Sequence, residues 1–337
     1  MYKLLKLGLK AFASNFKTLK EPYKLTFAVT YRCNSKCKIC NIWQRELKKE
    51  LTLEEIKKFF NKNSFLWVNL TGGEDFIRDD LVEIIKNMRG VYLLNITTNG
   101  ILTEKITRDC KEIQKMIPRF ILTVSIDGPK NLHNKLRGID CWDKAINTYQ
   151  NMKKEGIESY IGYTFSPYNI DKINETFDEI KNKVPDFKIK DLHINFYHES
   201  DFYFNNKGKI KKNLDYEKKL IEQNKKFIKL KKGFDPVSFL EFRFIKHVEK
   251  YLEKNKSPLL CKALNSSCYI DPYWNVYPCI IYNKKLGNLK DTNYDLKEIW
   301  KSGEAKKIRK IIKEYNCDGC WTPCEAYQTI LGNIFQN

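Results

Sequence analysis

Short apolar runs recur along the first two-thirds of the chain, at residues 25–31, 65–70, 91–98, 120–126, 158–165 and 190–197. Between them lie stretches with helical spacing of apolar positions, at 53–62, 79–89, 102–117, 142–155 and 172–183. Strand runs alternating with helical runs predict parallel strands joined by crossover helices, an α/β architecture. Local punctuation agrees. Thr52 with Glu55 forms a capping-box pattern at the start of the first of these helices, Pro118 ends the third, and Gly156 separates the fourth from the next strand. In such an architecture the loops that follow the strands build the site at the carboxyl end of the sheet. Residues 201–256 turn Lys-rich, including Lys207 to Lys212 and Lys225 to Lys232, and read as a helical linker with solvated charged faces. Cys268 to Cys279 reads as a hairpin with Asp271 to Asn275 in its turn.

The first twenty residues carry a different pattern. Leu4, Leu5, Leu9, Phe12 and Phe16 fall near one face of a helix, with Lys3, Lys6, Lys10 and Lys17 largely elsewhere. Such a basic amphipathic helix either lies at a membrane interface or packs its apolar stripe on the barrel, and the pattern leaves both readings open. No apolar run reaches membrane-spanning length.

The chemistry begins with three cysteines in eight residues, Cys33, Cys37 and Cys40, directly after the first apolar run. Thiolates spaced this way can hold three irons of a cubane cluster and leave the fourth iron open. A local zinc site needs a fourth Cys or His, and the nearest His is His133; a disulfide would leave one thiol unpaired. Six further cysteines follow residue 260, and Cys110 and Cys141 sit in helical stretches, where small buried side chains account for them. With eleven cysteines in all and no secretory leader, the sequence points to a reducing, cytoplasmic setting and to metal rather than disulfides.

The formal net charge of +20 fits a polyanionic partner or simply a Lys-rich surface, and no recognisable RNA-binding module accompanies it, so no nucleic-acid partner is expected. At 337 residues the chain is long enough for one large core and a small appended domain.

Cys-x3-Cys-x2-Cys after a first strand resembles the signature of the radical SAM enzymes. Further stretches follow the family's order. Thr71-Gly-Gly-Glu74 is similar to its GGE motif, with Asp75 where a proline is usual. Asn99-Gly100 ends the third strand, Ser125-Ile-Asp-Gly128 ends the fourth, and His133 to Gly138 (HNKLRG) resembles the HDxxRG that follows, with Asn134 in place of the aspartate. The resemblance implies a partial (β/α)6 TIM-like barrel over 21–200, with a 4Fe-4S cluster on Cys33, Cys37 and Cys40 and S-adenosylmethionine chelating the open iron. Reductive cleavage of that cofactor would give a 5'-deoxyadenosyl radical that abstracts hydrogen from a substrate. By the same resemblance Gly72, Gly73 and Glu74 hold the methionyl amine, Asn99 belongs to the cofactor site, and Ser125 and Asp127 meet the carboxylate and the ribose.

The tail, 257–337, resembles the SPASM and Twitch extensions, small β-hairpin/α domains that bind auxiliary clusters. Six cysteines are too few for two such clusters, so one auxiliary 4Fe-4S cluster is expected, on Cys261, Cys279, Cys317 and Cys320, with Cys324 the next candidate and Cys268 structural. Zinc tolerates this tail spacing too. The expected function is radical modification of a peptide or protein side chain, with small-molecule, sugar or lipid modification as the runner-up and a non-catalytic electron carrier as a third reading. A reductant such as ferredoxin or flavodoxin is the expected partner, an anaerobic host is expected, and residues 1–18 are the candidate peripheral membrane contact. Tyr163, His193, Tyr197 and His198 near the late strand ends carry no assigned role.

Overall fold

The computed structural model describes residues 2–210, 214–231 and 235–336. Helix α1 (Tyr2–Ala13) precedes β1 (Lys24–Thr30), whose seven residues are all buried, as a strand covered on both faces must be. Then follow α2 (Leu53–Lys62), β2 (Trp67–Gly72), α3 (Leu81–Lys86), β3 (Leu93–Thr98), α4 (Thr103–Met116) and β4 (Arg119–Ser125). After β4 come α5 (Lys130–Arg137), α6 (Trp142–Lys154), β5 (Ser159–Phe165), α7 (Ile173–Lys183) and β6 (Leu192–Phe196). The six strands pair in parallel in sequence order. The capping box at Thr52 and Glu55 is present at the start of α2. Helix α5 was not foreseen, because its eight residues lie inside what reads as a motif-bearing loop.

The Lys-rich stretch forms helices α8 (Leu214–Leu230), α9 (Pro236–Lys246) and α10 (Val248–Lys254). They are more than a solvated linker. Tyr216, Leu220 and Phe227 of α8, Phe244 and Ile245 of α9, and Val248 of α10 are buried in the main core. Of the charged runs in this stretch, residues 211–213 and 232–234 lie outside the described residues.

The tail hairpin has the expected turn, between β7 (Ser267–Ile270) and β8 (Asn275–Tyr277), and continues into β9 (Gly287–Asn288), α11 (Leu296–Lys301), α12 (Gly303–Lys313) and α13 (Pro323–Leu331). It does not stand apart. Strand β7 pairs in parallel with β1, Leu25 opposite Cys268 and Phe27 opposite Ile270, so that barrel and hairpin make one nine-stranded sheet in the order β6-β5-β4-β3-β2-β1-β7-β8-β9. The buried Lys24 of β1 is tied to α13, donating to Gln328 Oε1 at 2.6 Å and to the carbonyl of Cys324.

Candidate active site and tail thiol group

The Cys33–Cys40 loop leaves the end of β1 without regular structure and is held by its neighbours' backbone. The amides of Lys36 and Lys38 donate to the carbonyls of Arg137 (2.9 Å) and Leu136 (2.8 Å) at the end of α5, and Asn206 donates to the carbonyl of Ile39 at 2.9 Å. Gly138, at φ +69°, permits this approach, since a Cβ there would lie 2.8 Å from the Lys36 carbonyl oxygen. On the other side, Gly73 and Glu74 donate their amides to the carbonyls of Thr30 and Arg32, both at 2.8 Å. A Cβ at Gly72 or Gly73 would drive into the carbonyl oxygens of Thr30 and Arg32, so the glycine pair is explained by β1 as well as by any ligand.

One cleft at the carboxyl ends of the strands is bordered by Cys33, Cys37 and Cys40 together with Gly72, Gly73, Glu74, Asn99 and Ser125. Glu74 is buried and held by two donors, Thr98 Oγ1 to Oε1 at 2.6 Å and the Asn99 amide to Oε2 at 2.8 Å. Burial outweighs those hydrogen bonds and pushes its carboxyl up to about 7. Asn99 also donates to Asn34 Oδ1 of the cysteine loop at 2.7 Å. Asp75, in the usual proline position, is buried with neither carboxylate oxygen hydrogen-bonded, and burial, with the neighbouring Glu74, pushes its carboxyl well up.

Asp127 does not border the cleft. Its Oδ2 accepts from Arg137 Nη2 at 2.6 Å and its Oδ1 from the Thr164 amide at 3.2 Å, so both oxygens are committed to protein. Arg137, to which the sequence reading gave no role, does border the cleft and brings Nη1 to 3.6 Å from Cys37 Sγ. Its Nε has no partner and is buried. The signal was present, as Arg137 sits in the HNKLRG stretch. Asn134 is a cap: its Oδ1 accepts from the amides of Cys141 (3.0 Å) and Trp142 (2.9 Å) at the start of α6.

The tail thiols Cys261, Cys279, Cys317 and Cys320 border one common space. Backbone amides point at two of them, Ala263 to Cys261 Sγ at 3.5 Å and Tyr282 to Cys279 Sγ at 3.3 Å. Cys324 is not among the residues that border this space, though it interacts electrostatically with Cys279, and Cys268 is buried in β7. Cys110 and Cys141 are buried, the latter against His133 Nε2 at 3.3 Å.

All eleven cysteines are free of disulfides, and among the described residues no three Cys, His or carboxylate groups converge as a single ion requires. Burial pushes the thiols of Cys33 and Cys40 up to about 12, and those of Cys261 and Cys317 also upward. Burial thus disfavours the thiolate, and bound iron would supply the positive charge that offsets this. Three thiols on one loop facing one cleft, and four around a second space, fit iron-sulfur clusters by donor type and number.

One side chain joins the two regions. His198, after β6, borders the cleft, donates from Nδ1 to the Phe196 carbonyl at 2.8 Å, and accepts at Nε2 from the amide of Trp321 at 3.3 Å. Trp321 follows Cys320 directly.

Residues 27–180 match the radical SAM superfamily, and residues 261–321 match the SPASM iron-sulfur cluster-binding domain. A probable GTP 3',8-cyclase of Sulfurisphaera tokodaii is 26% identical over 249 residues, covering 72% of this chain and 76% of its own. The antilisterial bacteriocin subtilosin biosynthesis protein AlbA of Bacillus subtilis is 24% identical over 324 residues, covering 89% of this chain and 67% of its own. In fold the chain is similar to Streptococcus suis SuiB bound to precursor peptide SuiA, at a TM-score of 0.63 and 17% identity over 94% of this chain and 75% of that one. It is likewise similar to native anSMEcpe with bound AdoMet, at 0.59 and 21% over 86% and 83%.

Proposed function

The chain belongs to the radical SAM superfamily and carries a SPASM iron-sulfur domain, and on that premise we propose that it modifies a peptide or protein side chain. When bound, the front cluster and S-adenosylmethionine supply a 5'-deoxyadenosyl radical for hydrogen abstraction, with the electron drawn from a ferredoxin or flavodoxin. Cys33, Cys37 and Cys40 hold that cluster. Gly72, Gly73 and Glu74 receive the methionyl amine, with Asn99 and Ser125 closing the same wall. Arg137 offers its guanidinium to the cofactor carboxylate and to the charge on Cys37, and Asp127 orients Arg137 rather than touching ribose. Cys261, Cys279, Cys317 and Cys320 hold one auxiliary cluster.

The observation that carries this reading is the bridge at His198, which borders the cleft and hydrogen-bonds the amide beside Cys320. The bridge ties the wall of the cleft to the segment that carries Cys320, a connection that would suit removal of a hydrogen atom and then an electron. The peptide assignment draws support from the AlbA match, which spans 89% of the chain. A second reading, modification of a small molecule, draws support from the GTP 3',8-cyclase relatives.

Anaerobic protein given dithionite and S-adenosylmethionine is expected to release 5'-deoxyadenosine and, offered small peptides encoded beside its gene, to return one that has lost two hydrogens. Release of 5'-deoxyadenosine with turnover only of a nucleotide or sugar would move the assignment to the second reading. No release at all would overturn both.

A further inference from the structure

Helix α1 packs the wrong way round for a helix that only completes a core. Its inward face is formed by Leu7 and Ala11, with Ser14 just beyond its end, set against Leu66 and Trp67 at the start of β2 and Leu93 at the start of β3. Lys3 Nζ donates to the Val91 carbonyl at 3.2 Å from the same side. The larger apolar residues point outward. Tyr2, Leu5, Leu9, Phe12 and Phe16 recur at the three- and four-residue spacing of a single stripe, and they are 75%, 61%, 61%, 54% and 67% exposed. Phe335 from the chain's other end joins them, its ring centroid 5.9 Å from that of Phe12 and 5.8 Å from that of Phe16, while remaining 65% exposed. Three aromatic rings are thus packed on one another and still open to water, which is costly in a free soluble surface.

Charge decides what covers the patch. At one hundred degrees per residue, Lys3, Lys6 and Lys10 fall along one flank of α1, between the outward stripe and the inward face, and Lys17 continues the line. An apolar stripe edged by the exposed Lys6 and Lys17, on a chain of net charge +20, matches an anionic bilayer: the stripe enters the acyl boundary while these two stems lie along it and their ammonium groups meet lipid phosphates, Lys3 being held by the Val91 carbonyl and Lys10 half-buried. We propose that the outward face of α1, with Phe335, is a peripheral membrane-docking surface for anionic lipid. The geometry also sets the orientation. Helix α1 sits at the amino ends of β2 and β3, and the cysteine cleft lies at the carboxyl ends, so a docked molecule opens its cleft toward water. Its substrate then arrives from the aqueous side, and the docking does not depend on the peptide assignment.

The test is flotation of the reconstituted full chain with vesicles of phosphatidylcholine alone or mixed with phosphatidylglycerol, beside the variant Leu5→Ser/Leu9→Ser/Phe12→Ser. These three side chains are exposed and remote from the cleft, so unchanged 5'-deoxyadenosine release verifies that the variant is folded. The expected result is flotation with anionic vesicles about tenfold above that with phosphatidylcholine, and loss of most of it in the variant. Absence of flotation, equal flotation of variant and parent, or a dimer in sedimentation that the triple substitution dissolves would each overturn the proposal, the last by assigning the face to a second copy of the chain.

Discussion

Arg137 is the residue on which the cleft's electrostatics turn. Burial works against its charge, yet the carboxylate of Asp127 and the sulfur of Cys37 beside it hold the guanidinium charged. Removing one member of a buried ion pair is far more damaging than never having had it, because the other charge is left without a partner. Arg137→Met is therefore expected to destabilise the protein by roughly 3–5 kcal/mol in urea unfolding, and adding Asp127→Asn is expected to recover most of that loss. A double variant no more stable than the single one would mean that the pair is not the source. Glu74 was legible from its motif, since the glycines before it mark a close backbone approach. Asp127 was legible as important but not in its orientation: the sequence gives its neighbours along the chain, whereas its partners Arg137 and Thr164 come from a helix and a separate strand.

At the scale of elements, the parallel strands and their crossover helices followed from periodicity, and α2 ends where its capping pattern and apolar spacing place it. The boundaries that slipped did so by a few residues, at strand ends such as that of β2 and at both ends of α3, which is shorter than its apolar spacing suggests. Strand β7 is a different case. Its four residues carry no sign of a partner, yet it covers the edge of β1. Tyr269 within it hydrogen-bonds Tyr31, two residues before Cys33, at 2.7 Å, and packs on Tyr203, which borders the cleft. The tail is thus a wall of the barrel as well as a holder of thiols. A chain ending at residue 256 would bare the β1 edge and the apolar faces of β1 and α9, and it is expected to aggregate rather than yield a monomer in gel filtration. A soluble, monomeric truncation would show that the barrel closes without its tail.

For the whole molecule, the division of eleven cysteines into a front group, a tail group and buried singles has a simple chemical readout. If two cubane clusters stand on separate thiol sets, as proposed, anaerobically reconstituted protein is expected to bind about eight irons, falling by about half when Cys33, Cys37 and Cys40 are all replaced by Ala. An unchanged count would refute the division. The sequence alone determined the thiol triplet, the motifs at successive strand ends and the alternation that lays those strands side by side, all of which are local patterns written in neighbouring residues. Tertiary structure alone decided that the tail hairpin extends the barrel sheet, that Arg137 faces Cys37, that His198 meets the amide beside Cys320, and that α1 turns its apolar stripe outward. Each of these joins residues far apart in the chain. An amphipathic pattern states that a helix has an apolar face, but only the shape and burial of the surface it meets settle which face is covered.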